Sequence, residues 1–181
     1  MILLRCMQAI DEFNERVGVA VSWLTTVLVL VVCFDVLTRY VFNFSLVWVQ
    51  ELEWHVFSLI FLFGAAYTLK HDQHVRVDLF YDGRSPKAKA AVNLFGTLVF
   101  LLPFCLVLIW GSQDFVINSF NVREISANPG GLPARYFLKA CIPIAALLLL
   151  MQGISLAIRS WLTIVGKLPE AHHDEQPDEV R

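Results

Sequence analysis

The sequence offers little for chemistry to work with. Only 17% of its 181 residues are charged, and 14 Lys and Arg against 16 Asp and Glu leave a net charge of −2. No continuous basic stripe runs through it, which argues against nucleic acid as a partner. The four cysteines, Cys6, Cys33, Cys105 and Cys141, stand far apart and none forms a C-x-x-C pair. A thiol oxidoreductase is thereby excluded, and the thiols read as small hydrophobes. There is no Walker motif, no Ser-His-Asp set and no metal-ligand spacing. The pair His172–His173 lies in a polar tail and is a weak metal signal. A membrane haem needs histidines at matching depth on different helices. His55 stands at one end of its apolar run and His71 and His74 lie past the other, so that role fails too. An ion-coupled exporter would want an acid deep in an apolar run, and Asp35 is shallow. The expectation is a protein that is not an enzyme, with no catalytic residue, no cofactor and no bound metal.

What the chain has in excess is apolar surface. It is 57% hydrophobic with a mean hydropathy of +0.61, well above a soluble domain, so lipid must be the solvent for much of it. The fold class expected is an all-α membrane protein: four transmembrane helices, an amphipathic N-terminal helix and short interfacial segments. Residues 1–16 place Leu3, Cys6, Met7, Ile10 and Phe13 at helical spacing, with Arg5, Asp11, Glu12 and Glu15 mostly opposite. Such a helix lies in the interface or extends the first span into the cytoplasm. Acidic residues before the first apolar run, and no small-x-small site after it, argue against a cleaved signal peptide. The transmembrane domain is expected over 17–165, with spans near 17–40, 48–69, 88–112 and 134–160, each about the 20 residues a bilayer core requires. Residues 166–181 are polar and read as disordered.

The stretch from Arg39 to Asp78 organises the rest. Asp35 and Arg39, four apart, share a helix face and can pair. Trp48, Glu51, Glu53, Trp54 and His55 open the second span, and Glu51, His55 and Ser58 fall on one stripe. Carboxylates in a first turn suit the helix dipole, and Glu51 is placed to reach Arg39 across the turn near Asn43. Plain interfacial anchoring is the alternative. Gly64, Ala65 and Ala66 would admit a close helix. After Lys70, alternating Val75, Val77 and Leu79 suggest an interfacial segment, and Ser85–Pro86 an N-cap with a first-turn proline. Pro103 predicts a kink within the third span. From Asp114 to Pro133 a connection is expected, ending in the turn formers SANPGGLP. Four crossings put both termini on one face, which collects ten of the fourteen Lys and Arg residues; Arg39, Arg123, Arg135 and Lys139 fall on the other. The excess of cations marks the cytoplasmic face.

Three blocks in order, RYVFNFSLVWVQELEWHVF, GAAYTLKHDQHVRVDLFY and NPGGLPARYFLKACIPIAALLLLMQGIS, resemble the small membrane subunit, of DctQ type, of the tripartite ATP-independent periplasmic (TRAP) transporters. The resemblance covers roughly residues 7–162. It departs from the family where carboxylates are often adjacent: here Gln50, Glu51, Leu52 and Glu53 alternate. It implies a place in the bacterial inner membrane, with a large membrane subunit and a periplasmic binding protein as partners and the bilayer around them. The large subunit would hold the sodium and organic-acid sites and move as an elevator; the small one would widen its static scaffold. Arg39, Trp48, Glu51, Glu53, Trp54, His55, Asp35 and Gly64 are then candidates for structural or interface contacts, none for substrate. Two other classes remain: a free-standing small ion-coupled transporter, shown by uptake through the isolated chain, and an electron-transfer anchor, shown by a haem band.

Overall fold

The computed structural model describes residues 2–71 and 85–167. Four helices in it are long and apolar enough to cross a membrane, and the described residues contain no strand. They are α1 (Ile2–Val41), α2 (Val47–Lys70), α3 (Pro86–Asn121) and α4 (Tyr136–Ile164). The expected interfacial segment around Val75–Leu79 and the polar tail lie outside the described residues.

The amphipathic segment and the first span form one helix. No break falls at residues 16–17: α1 runs unbroken for 40 residues, about 60 Å at 1.5 Å per residue, twice a hydrocarbon core of about 30 Å. Nothing in the sequence there breaks a helix, so the segment extends the span rather than folding away from it.

The third helix starts as its sequence dictates. The hydroxyl of Ser85 accepts from the Ala88 amide at 3.3 Å, and Pro86, which has no amide to satisfy, occupies the first turn. Its end differs from expectation. The connection does not begin at Asp114, because α3 continues to Asn121. The uncharged run stops at Asp114, but Asp114–Asn121 holds no breaker, and Ser112 and Ser119 bury their small side chains. The disturbance from Pro103 also appears one turn early, as a π turn at Thr97–Leu101 where the Leu102 amide reaches back to the Thr97 carbonyl. Pro103 cannot donate to Val99, and its ring crowds that carbonyl; a wider turn relieves both.

α4 is the hub, packed against α1, α2 and both halves of α3. Small residues allow the approach: Ala145, Ala146, Gly153, Ser155 and Ser160 are buried. A methyl on Gly153 would meet Leu101 and Leu102 of the π turn at 3.0 Å, and one on Gly18 of α1 would overlap Tyr67 of α2 at 2.1 Å. The close contacts therefore sit at Gly18 and Gly153; Ala66, next to Tyr67 in α2, is 2% exposed. At Gly64 the expected close approach is not made among the described residues, since an added methyl meets nothing of them within 4 Å.

α2 and the second half of α3 both lean on α4 and leave a groove of about 370 Å³ between them, walled by Trp54, Phe57, Phe61 and Phe115, with Glu124 and Lys139 also lining it.

Candidate functional site

Of the residues singled out in the sequence, all but Gly64, which lies far down α2, fall at the end of the bundle that carries the 42–46 turn and the 122–135 loop. Loop geometry comes first. Gly130 (φ +77°) adopts the left-handed conformation that glycine tolerates, and Arg123 and Ala134 turn at φ 50° and 63°. The loop closes on itself: Ser126 N–H donates to Leu132 O at 3.1 Å, Gly131 N–H to Asn128 O at 3.0 Å, and Arg135 N–H to Glu124 O at 3.0 Å.

Glu51 fills the cavity so formed. It is 3% exposed. Its Oε1 accepts from the Ser126 hydroxyl, from Asn128 Nδ2 at 3.1 Å and from Arg135 Nη2 at 3.2 Å; its Oε2 accepts from the Leu132 amide at 2.7 Å. Ionised carboxylates hold amide and guanidinium donors more strongly than neutral acceptors do. One charge from α2 therefore organises a loop joining α3 to α4. Gly131 has to be glycine: a methyl there would lie 2.4 Å from Ser126 Oγ and 2.7 Å from Glu51 Oε2. The Arg135 guanidinium also lies over the Trp54 ring, 5.6 Å from its centre.

Beside this cradle a second carboxylate ties the loop to α4. Glu124 Oε2 accepts from Lys139 Nζ and from the Ser119 hydroxyl, both at 2.5 Å. The Lys139 contact, then the Ser119 hydroxyl, hold its carboxyl below the usual range. The Lys139 ammonium also sits 4.0 Å from the centre of the Phe115 ring.

The expected Arg39–Glu51 pair does not form. Arg39 turns back along its own helix to Asp35 Oδ2, and Glu51 is consumed by the loop. The turn is short enough, but Glu51 is buried toward α4 and the loop, while the Arg39 side chain remains 46% exposed. Nor does the polar stripe act together. His55 Nδ1 donates to the Glu51 carbonyl at 2.5 Å, and Ser58 Oγ to the Trp54 carbonyl at 2.7 Å. Glu53 takes no part in the cradle, and its Oε1 is buried without a hydrogen-bond partner among the described residues. Trp48 and Trp54 are 42% and 40% exposed, as rings at a membrane boundary would be.

A second polar cluster, at the opposite end, went unread in the sequence. Asp11 Oδ1 accepts from Gln152 Nε2 at 2.9 Å and Ser155 Oγ at 2.6 Å, and its Oδ2 from Arg159 at 2.6 Å. Asn14 Nδ2 donates to Gln152 Oε1 at 2.7 Å. The signal was there: Gln152, Ser155 and Arg159 stand at i, i+3 and i+7, a polar stripe on an otherwise apolar helix. Nearby, Glu15 of α1 accepts from Lys70 at 2.6 Å and binds His71 at 2.8 Å.

These arrangements clamp helices and loops; they present no nucleophile beside a base. Among the described residues no group of three or more His, Cys, Asp or Glu could hold a metal ion.

Comparison with known proteins converges on one family. The family model described as tripartite ATP-independent periplasmic transporters, DctQ component, matches residues 28–163. A putative TRAP transporter small permease protein of Haemophilus influenzae (strain ATCC 51907 / DSM 11121 / KW20 / Rd) is 26% identical over 145 residues, 79% of this chain and 89% of that protein. The sialic acid TRAP transporter permease protein SiaT of Haemophilus influenzae (strain 86-028NP) is 24% identical over 135 residues. That alignment covers 75% of this chain but 21% of SiaT, so the chain spans about a fifth of that relative's length. No solved structure matches the chain.

Proposed function

The chain belongs to the DctQ component family of the tripartite ATP-independent periplasmic transporters, and we propose that it serves as the small permease subunit, bracing the scaffold of a large membrane subunit. In this reading the large subunit takes up an organic acid with sodium, after a periplasmic binding protein delivers it. The relative named for sialic acid supports a carboxylate as substrate. The complex sits in the bacterial inner membrane, with the ends of α1 and α4 that carry the chain termini in the cytoplasm and the Glu51 cradle in the periplasm.

The observation that carries the reading is how little of the bundle covers itself. Of the most apolar window of α1 only 6% is buried, and of α3 11%. Trp23, Leu30, Phe100 and Val107 all stand more than 60% exposed. Lipid alone satisfies such faces, and the buried polar groups of the Asp11 and Glu51 clusters are taken up in hydrogen bonds that tie the helices and the loop together. An open methyl-free site at Gly64, and another at Gly96, leave room for a neighbour's helix. Small residues are where helices meet in membranes. The test is purification in mild detergent after co-expression with a large TRAP permease. The two chains should leave the column together, and transport should require both. A stable lone chain that drives sodium-dependent uptake in liposomes would overturn the proposal.

A further inference from the structure

The groove between α2 and α3 plays no part in the clamps described so far. Its wall on α2 is one helix stripe: Trp54, then Phe57 and Ser58, then Phe61. Its wall on α4 repeats that spacing with Arg135, then Leu138 and Lys139, then Ile142. Phe115 of α3 closes the third side. Both α2 and α4 begin at the cradle end, so the groove is charged at its mouth and apolar as it descends toward the bilayer centre. Phe57 and Phe61 are 59% and 70% exposed, which leaves it open to lipid along its side.

The mouth has hydrogen-bonding capacity left over. Arg135 reaches Glu51 and Ser126 through Nη2, and its Nε has no acceptor among the described residues. Lys139 Nζ carries three hydrogens and donates one to Glu124. Both side-chain hydrogen bonds to Glu124 end on Oε2, so Oε1 has no donor among the described residues. Spare donors and a spare acceptor thus stand side by side. Their charges balance, since Arg135 and Lys139 face Glu51 and Glu124. A purely anionic ligand would add uncompensated charge, whereas a zwitterion brings one charge for each side.

Size decides between a hydrocarbon chain and a helix. From Trp54 to Phe61 the groove runs about 10 Å along α2. Its volume of about 370 Å³ leaves a section of about 35 Å² over that length, under half that of a helix about 10 Å across. An extended acyl chain fits, and a partner's helix does not.

We propose that this groove binds one phospholipid with a primary-amine head group, of the ethanolamine type. An acyl chain lies along Phe57, Phe61 and Ile142, the phosphate accepts from Lys139 and Arg135, and the ammonium donates to Glu124 Oε1. The lipid fills the gap between α2 and α3 and ties both to α4. This assignment holds whichever way the chain is inserted and whatever part it plays in transport.

Native mass spectrometry of the full chain in mild detergent tests it, with phosphatidylethanolamine, phosphatidylcholine or phosphatidylglycerol of matched acyl chains added. One phosphatidylethanolamine should bind per chain, about tenfold more tightly than either other lipid. Ser58→Phe fills the groove and leaves its charges in place; it should weaken that binding about tenfold. Glu124→Ala removes the acceptor and should bring phosphatidylethanolamine down to the level of phosphatidylcholine, whose quaternary ammonium has no hydrogen to donate. Circular dichroism establishes that each variant keeps its helices. Equal binding of the three lipids by wild type overturns the proposal without recourse to any variant. So does undiminished binding in folded Ser58→Phe. Loss of the lipid on co-purification with a large permease would give the groove to side chains of that partner and overturn it as well.

Discussion

Glu51 and Glu53 sit two residues apart and do different work, which helix geometry explains. Two positions apart turns a side chain to another face, so Glu51 meets the loop and the start of α4 while Glu53 is left out of that cradle. Removing the Glu51 charge strands Ser126, Asn128, the Leu132 amide and Arg135, and unpaired buried donors are expensive. We expect Glu51→Ala to expose the 122–135 loop to hydrogen exchange and protease severalfold more than Glu53→Ala does, with Gly131→Ala matching Glu51→Ala through steric overlap alone. In a double-mutant cycle on assembly, Glu51→Ala with Arg135→Ala should fall short of additivity, while Glu51→Ala with Arg39→Ala should add. Additivity in the first cycle would remove the clamp. Glu124 adds a pH dependence. Its carboxyl lies below the ordinary value of 4.5 when folded, so its contribution is present above that value and lost as pH falls through the folded one. Loop protection should drop in that acid window and stay flat in Glu124→Gln. The sequence marked Glu51 as special but gave it the wrong partner. Ser126 and Arg135 lie far along the chain, and no local spacing reports a contact of that range.

Helices were legible as elements because apolar runs bounded by Trp, Arg and Pro leave little choice in lipid. Their ends were less so. A run of uncharged residues measures what lipid tolerates, whereas a helix stops only where the backbone is broken; hence α3 outlasts Asp114. Pro103 announced a disturbance but not its form, since whether a helix kinks or widens depends on what packs against it, here Gly153 of α4. The Asp11 cluster was missed for a related reason: Asp11 reads as part of the polar side of an amphipathic helix until α4 is laid beside it. Asp11 is 8% exposed, and it is the common acceptor for Gln152, Ser155 and Arg159. Asp11→Ala should therefore lower stability by about 1–3 kcal/mol, the usual cost of stranding buried partners. Arg159, half in solvent, can rehydrate, so Arg159→Ala should cost less than Asp11→Ala. Thermal unfolding in detergent, followed by circular dichroism, ranks the two, and the reverse order would show that the charge pair rather than the buried amide and hydroxyl holds α1 to α4.

For the molecule as a whole, the proposed direction of insertion rests on where cations lie, not on net charge. At the cradle end Arg39, Arg135 and Lys139 each have a carboxylate partner in Asp35, Glu51 and Glu124. At the terminal end Lys70, Arg16 and Arg159 are likewise matched by Glu15, Glu12 and Asp11. If net charge set orientation the two ends would compete. The topology rule instead counts Lys and Arg, with Asp and Glu contributing little, and ten against four favours the terminal end as cytoplasmic. The structure gives three of the four cations at the cradle end a folded contact, which would let them be tolerated on the periplasmic side in the proposed orientation. Reporter fusions at Pro86 and beyond Lys167 should read as cytoplasmic, and a fusion at Asn128 as periplasmic. Replacing Arg5, Arg16, Lys87 and Lys89 together with Gln leaves six cations against four, and should produce a mixed population at each reporter. A uniform, unchanged orientation in that variant would show that the helices themselves, or a partner already in the membrane, direct insertion. A periplasmic signal at Pro86 in the wild type would contradict the orientation itself.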